Sequence, residues 1–253
     1  MKMFFQLYRK ELNGLRNIFL TLLGLIMGID LFLVTRVRSW GYWTALHVTL
    51  IPLIFLLIWA MFRAFMLTRE EWKEGTAPFL RSLPLSGWSI VGAKLLAAFT
   101  EWLFLSLATV IFSGLFYATA PLWGVEWPAL PDLFFSEQTV QFIVVSGLNF
   151  ALGIILTGLI FQLAYLLGRT VNRFNALVSF ACTVLLFYLT AKGNDILSRL
   201  FANLSGISPE TISLSPNANA VLTYLKLNIV IMLIEFAFLF VVTGWVMEKK
   251  AES

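Results

Sequence analysis

Three carboxylates, Asp30, Glu101 and Glu235, stand inside long apolar stretches of a 253-residue chain. A charged carboxylate at the centre of a membrane helix is unfavourable by roughly 2.5–3.5 kcal/mol on insertion scales. Protonation, a partner or a water-filled cavity relieves that cost. Glu235 lies near the middle of its stretch and is the candidate for a group on a transport pathway. Asp30 lies toward one end of its stretch, where headgroups, Arg36 or Arg38 are within reach. Glu101 can meet Arg63, whose long side chain can snorkel from the neighbouring stretch. Asp30 and Glu101 are read as structural and kept as candidate intramembrane polar sites. Asn149 and Gln162 suit hydrogen bonds between helices.

Other chemistry is missing from the chain. There is no GxxxxGK[ST] loop to cradle nucleotide phosphates, and no HExxH metal motif. His47 is the single histidine and has no carboxylates near it in sequence, so no metal site is expected. Cys182 is the single cysteine, which excludes an intrachain disulfide, and its apolar run reads as that of a small buried hydrophobe. Leu85–Ser89, LSGWS, faintly resembles an ATPase signature, but without a phosphate loop Ser86 is better read as a helix N-cap. The expectation is a protein that is not itself an enzyme and carries no cofactor of its own.

The elements that must hold these residues follow from composition. Hydrophobic residues make up 59% of the chain and charged residues 13%, against about 45–50% and about 25% in soluble domains. Mean hydropathy is +0.85. Soluble enzyme, disulfide scaffold, disordered tail and nucleic-acid-binding module are all disfavoured, so no nucleic-acid partner is expected. A helix crosses the hydrocarbon core with about 20 apolar residues. Six stretches qualify, at about 17–35, 44–67, 94–119, 139–168, 174–191 and 221–246. Charges at Lys2, Arg9, Lys10, Glu11 and Arg16 interrupt any signal-peptide core. Residues 1–16 read instead as an amphipathic interfacial helix, with Phe4, Phe5, Tyr8, Leu12 and Leu15 on one face and Gln6, Arg9, Lys10, Asn13 and Arg16 opposite. The other reading of these residues is an N-terminal extension of the first span.

Basic residues orient the bundle. With the N-terminus in the cytoplasm, the inner side holds thirteen of the 18 Lys and Arg residues and the outer side holds Arg36, Arg38, Lys192, Arg199 and Lys226. Residues 120–138 carry Glu126, Asp132 and Glu137 but no Lys or Arg, which suits an outer loop. Both termini are then cytoplasmic. Tryptophans at the span ends, Trp40, Trp43, Trp72, Trp88, Trp123, Trp127 and Trp245, fit interfacial anchors. Within the outer segment 192–220, Ile196, Leu197, Leu200, Phe201 and Leu204 suggest a short helix on the outer leaflet. Gly24 and Gly28 form a G-x-x-x-G pair on the first span, which permits close helix approach within the subunit or to a second one.

The segment from Thr68 to Leu96, TREEWKEGTAPFLRSLPLSGWSIVGAKLL, is the most informative in the chain. Thr68 with Glu71 has capping-box spacing, which either starts a short helix or falls within a continued second span. Gly75 ends that helix, and Pro78 suits the first turn of a new one presenting Phe79, Leu80 and Leu83 before Pro84 stops it. Apolar residues flanked by charges on a cytosolic loop fit a partner's groove or an interfacial helix touching lipid. The order E-x-x-x-G-T, then F-L-x-S-L-P-L-S, then K-L-L resembles the type-2 ABC transporter permeases. The matching positions are Glu71, Gly75, Thr76, Phe79, Leu80, Ser82, Leu83, Pro84, Leu85, Ser86 and Lys94. In that family this loop carries the coupling helix that docks on a separate ATP-binding cassette subunit.

The expected architecture is therefore an all-α integral membrane protein, a single permease domain over 1–253 with an amphipathic N-terminal helix, six spans and a cytoplasmic coupling segment at 68–93. The resemblance implies the permease subunit of an exporter in the cell membrane. Its partners would be a cassette ATPase, which binds ATP and magnesium, a second permease subunit and the lipid bilayer. A carrier or channel driven by an ion gradient at Glu235 is the alternative, and a membrane immunity or interaction protein without transport is a third.

Overall fold

A computed structural model describes residues 2–75, 85–126, 136–171, 174–205 and 218–249. Its described residues form helices α1 (Lys2–Trp40), α2 (Tyr42–Val48), α3 (Ile51–Lys73), α4 (Gly87–Ala118), α5 (Glu137–Gly168), α6 (Asn175–Ser205) and α7 (Ala218–Lys249), with a 3-10 turn at Ala120–Trp123. Six helical stretches are long and apolar enough to cross a membrane: Met3–Trp40, Tyr42–Lys73, Gly87–Ala118, Glu137–Gly168, Asn175–Phe201 and Asn219–Lys249. Each contains one of the six stretches expected from hydropathy, apart from a residue or two at some ends. They are the helices of a multi-pass membrane protein.

The helix ends follow local chemistry. Gly41, at φ +83, separates α1 from α2. Pro52 lies in the first turn of α3, where its missing N–H costs no hydrogen bond, and α2 and α3 meet at a turn over Thr49 and Leu50. Gly75, at φ +69, follows the end of α3 as a left-handed residue that ends a helix without Cβ strain. The Ser86 hydroxyl accepts from the Ser89 N–H at 3.4 Å, capping α4 as its spacing predicts. Ser136 caps α5 by accepting from the Thr139 N–H at 3.2 Å.

Two expected boundaries are absent. Residues 2–16 are not a separate element but the opening turns of α1, which runs unbroken through Arg16 and Asn17. Neither residue breaks a helix, so the amphipathic turns and the apolar turns share one axis. Similarly, α6 continues through Lys192 to Ser205, so no separate outer helix forms there. Gly193 alone is too weak a breaker, and an Asp195–Arg199 pair one turn apart, at 3.1 Å, supports the extension. Thr68 does not cap: its hydroxyl donates to the Ala64 carbonyl at 3.0 Å inside α3, so the second span simply continues.

The chain groups into two compact units, Met1–Arg63 with Ala93–Ala129, and Ala64–Gly92 with Leu130–Ser253. In the first, Leu33 and Val37 of α1, Tyr42 and Ala45 of α2, and Phe116 and Ala120 form a buried cluster. Tyr42 stacks on Phe116 at 5.6 Å between ring centroids, and its hydroxyl bonds the Phe116 and Tyr117 carbonyls at 3.0 Å. In the second, α5 packs along α7, and α6 contacts both. Asn149 of α5 donates to the Leu225 carbonyl at 3.0 Å and accepts from Asn228 at 2.8 Å. Gln162 donates to the Thr68 hydroxyl at 3.0 Å. Both residues bond between helices, as their position in apolar stretches suggested.

The start of α4 lies close against α7. The Trp88 indole donates to the Val241 carbonyl at 3.2 Å, and the Gly87 N–H donates to Glu248 at 3.1 Å. A Cβ at Gly244 would overlap the Trp88 ring, and one at Gly87 would overlap the Gly244 carbonyl. Gly244→Val should therefore force these helices apart, at a cost of about 1–3 kcal/mol for an overpacked contact. A melting temperature in detergent equal to the parent's would contradict this packing.

Candidate functional site

Three settings in the apolar helices hold buried ionisable residues. The first is a pair of buried ion pairs on α4. Lys94, Ala98, Glu101 and Leu105 follow one buried face of this helix at three- and four-residue spacing. Arg63 Nε donates to Glu101 Oε2 at 2.8 Å, with both side chains almost fully buried. The Arg63 guanidinium also lies 5.1 Å from the centroid of the Trp59 ring. The expected Arg63–Glu101 pairing is thus present.

Lys94 Nζ, fully buried, reaches Glu11 Oε1 at 3.3 Å, and Lys10 reaches the same oxygen at 3.4 Å from a solvent-exposed position. This pair escaped the sequence reading, which set Glu11 among the charges of an interfacial helix. The signal was available: Leu7, Glu11 and Leu15 are spaced by four and form the buried stripe of the first turns. Phe5, assigned to the apolar face, is 61% exposed. Close by, the Tyr8 and Thr100 hydroxyls meet at 2.9 Å.

The second setting is Asp30, which is buried with no hydrogen-bond partner for either carboxylate oxygen among the described residues. The pairing foreseen with Arg36 or Arg38 does not form. Six residues advance roughly 240° round a helix, and eight rise about 12 Å, so neither arginine comes alongside Asp30. Arg36 instead sits over the Phe32 ring at 5.1 Å.

The third setting is Glu235, midway along α7, which borders a cavity of about 300 Å³ between α7 and α6. Leu186, Thr190, Gly193 and Leu197 supply one face of α6, and Ile234, Glu235, Phe238 and Leu239 supply α7. Gly193 lies beside the carboxyl: a Cβ there would come to 3.4 Å from Glu235 Oε1, an ordinary contact distance. The Thr190 hydroxyl is turned back onto the α6 carbonyls of Leu186 and Phe187 at 2.9 and 3.0 Å. Glu235 Oε1 has no hydrogen-bond partner among the described residues. A solitary carboxyl in an otherwise apolar cavity can bind, orient or neutralise a group that enters it.

Of the coupling residues, Glu71 and Gly75 are described; Thr76, Phe79, Leu80, Leu83 and Pro84 lie outside the described residues. Glu71 is buried near the end of α3. Nearby, Arg169 lies over the Trp72 ring at 4.9 Å and Phe65 meets Tyr165 edge-on at 5.2 Å. The structure brings Arg63 and Glu101 together, but it brings Asp30 to no hydrogen-bond partner among the described residues. The chain matches no family model, no curated protein and no solved structure.

Proposed function

We propose that this chain is the membrane subunit of an ATP-driven exporter in the cell membrane, with hydrolysis of ATP on a separate cassette ATPase. The observation that carries this reading is the segment E-x-x-x-G-T…F-L-x-S-L-P-L-S between the second and third apolar helices. The left-handed Gly75 and the Ser86 cap fix where the flanking helices stop and start. The segment between them would dock on the ATPase, while the apolar helices form the translocation pathway. Membranes carrying the chain with its cassette partner should hydrolyse ATP, and dissipating ion gradients should leave ATP-driven transport running.

Glu235 Oε1, buried with no hydrogen-bond partner among the described residues, favours a second reading, a carrier driven by an ion gradient. Transport that ignores ATP and stops with an ionophore would select it. Under either reading Glu235 belongs to the pathway. Glu235→Gln should change transport while leaving ATPase association at the parental level; unchanged transport would remove Glu235 from the pathway.

The charge bias supports an orientation with both termini in the cytoplasm, and residues 2–16 of α1 then lie near the inner headgroups. In a Cys182→Ala background, an impermeant thiol reagent added outside should label Glu126→Cys but not Glu74→Cys. The reverse pattern would overturn the orientation. The working unit would contain a second membrane subunit. In support, a Cβ at Gly24 or Gly28 would meet nothing within 4 Å, so these glycines do not serve close packing among the described residues of this chain.

A further inference from the structure

We propose that the cavity between α6 and α7 is a binding site for lipophilic amines: molecules with one apolar body and one protonated nitrogen. This deepens the pathway reading of Glu235 and rests on it, but not on what drives transport. The cavity volume of about 300 Å³ lies at the lower end of the roughly 300–1,000 Å³ typical of small-molecule sites. Its wall is aliphatic and aromatic, with Leu189, Leu197, Phe238 and Leu239 around the carboxyl, so the bulk of any occupant is apolar.

The polar side of recognition is acidic. Glu235 is 9% exposed, and its Oε1 has no partner among the described residues. Among the described residues no Lys or Arg lines the cavity, and the Thr190 hydroxyl is bonded to its own helix. Water is a poor solution for this carboxyl, because a buried water needs two to four polar partners and the walls offer few. An ammonium supplies charge and N–H donors together, and the pair gains strength in a low-dielectric setting. An alcohol of equal length supplies a donor without charge, and a carboxylate of equal length meets repulsion. The expected order of affinity is amine, then alcohol, then acid.

The test uses the full chain in nanodiscs of zwitterionic lipid, without nucleotide or ATPase, and radiolabelled decylamine. Empty discs give the partition background. The parental chain should bind decylamine saturably, with excess decylamine displacing the label far better than decanol or decanoate. Glu235→Gln keeps the size of the side chain and should weaken decylamine roughly tenfold or more, bringing amine and alcohol to parity. Gly193→Leu fills the space beside the carboxyl without altering charge and should abolish saturable binding. Absence of saturable binding to the parental chain, or equal displacement by all three competitors, would overturn the proposal without recourse to any variant. An amine preference that survives Glu235→Gln in a protein eluting as the parent does would also overturn it. Because no ATPase is present, a negative result leaves the coupling reading intact, and failure of ATPase coupling leaves this binding result intact.

Discussion

Arg63→Met and Glu101→Leu, made singly, should each lower the melting temperature sharply, and made together should restore most of the loss. The Nε–Oε2 contact is 2.8 Å and both side chains are at most 2% exposed. Removing one partner leaves the other's charge buried without this contact. Such single losses cost about 3–5 kcal/mol, whereas replacing both partners by apolar residues of similar volume is often neutral. The rescue by the double change separates a buried ion pair from mere tight packing. If the double variant melts as low as the worse single variant, the pair is not the reason for the charges. Lys94→Met should cost less, because its contact to Glu11 is longer, at 3.3 Å, and Glu11 keeps Lys10 at 3.4 Å.

The second large effect is expected on partner binding. Phe79 and Leu83 are apolar residues within a short segment whose neighbours include Glu74 and Arg81. Gly75 at φ +69 ends α3 before that segment, and Ser86 starts α4 after it, so its attachment points are fixed by helix ends. Apolar anchors seated in a partner's groove contribute on the order of 1–3 kcal/mol each when truncated. Phe79→Ala with Leu83→Ala should therefore weaken ATPase association by roughly a hundredfold or more, if the two effects nearly add. Both positions lie outside the six apolar stretches of the sequence, so insertion and melting should stay parental. Partner binding retained at the parental level would remove the coupling role from this loop.

The architecture was readable because hydropathy blocks of this length have one physical solution. A chain in hydrocarbon must satisfy its backbone internally, and long apolar runs do so as helices. Helix ends with strong local chemistry, Gly75 and Ser86, were equally readable. The extension of α1 back to Lys2 and of α6 on to Ser205 was not, because polarity was taken as a boundary where no breaker residue stands. A helix continues past the apolar zone for as long as its residues tolerate it.

Side-chain pairing divided in the same way. Arg63 and Glu101 could be paired from opposite charge and similar depth. Glu11 and Lys94 are 83 positions apart and meet only through tertiary packing. The cavity beside Glu235 is lined in part by Gly193, on another helix. A sequence displays the acid but not the space in front of it. Asp30 shows the opposite limit: pairing with Arg36 or Arg38, offered beside headgroup contact, took no account of their angle round the helix.

The central claim, a membrane subunit coupled to a separate ATPase, is tested most directly by purifying the parental chain from its own membranes through a C-terminal tag in mild detergent. A subunit carrying a GxxxxGK[ST] phosphate loop and hydrolysing ATP should co-elute in stoichiometric amount, and should be missing from the Phe79→Ala, Leu83→Ala eluate. A parental chain that elutes intact and folded with no such ATPase, or an ATPase that follows both chains equally, would contradict the account.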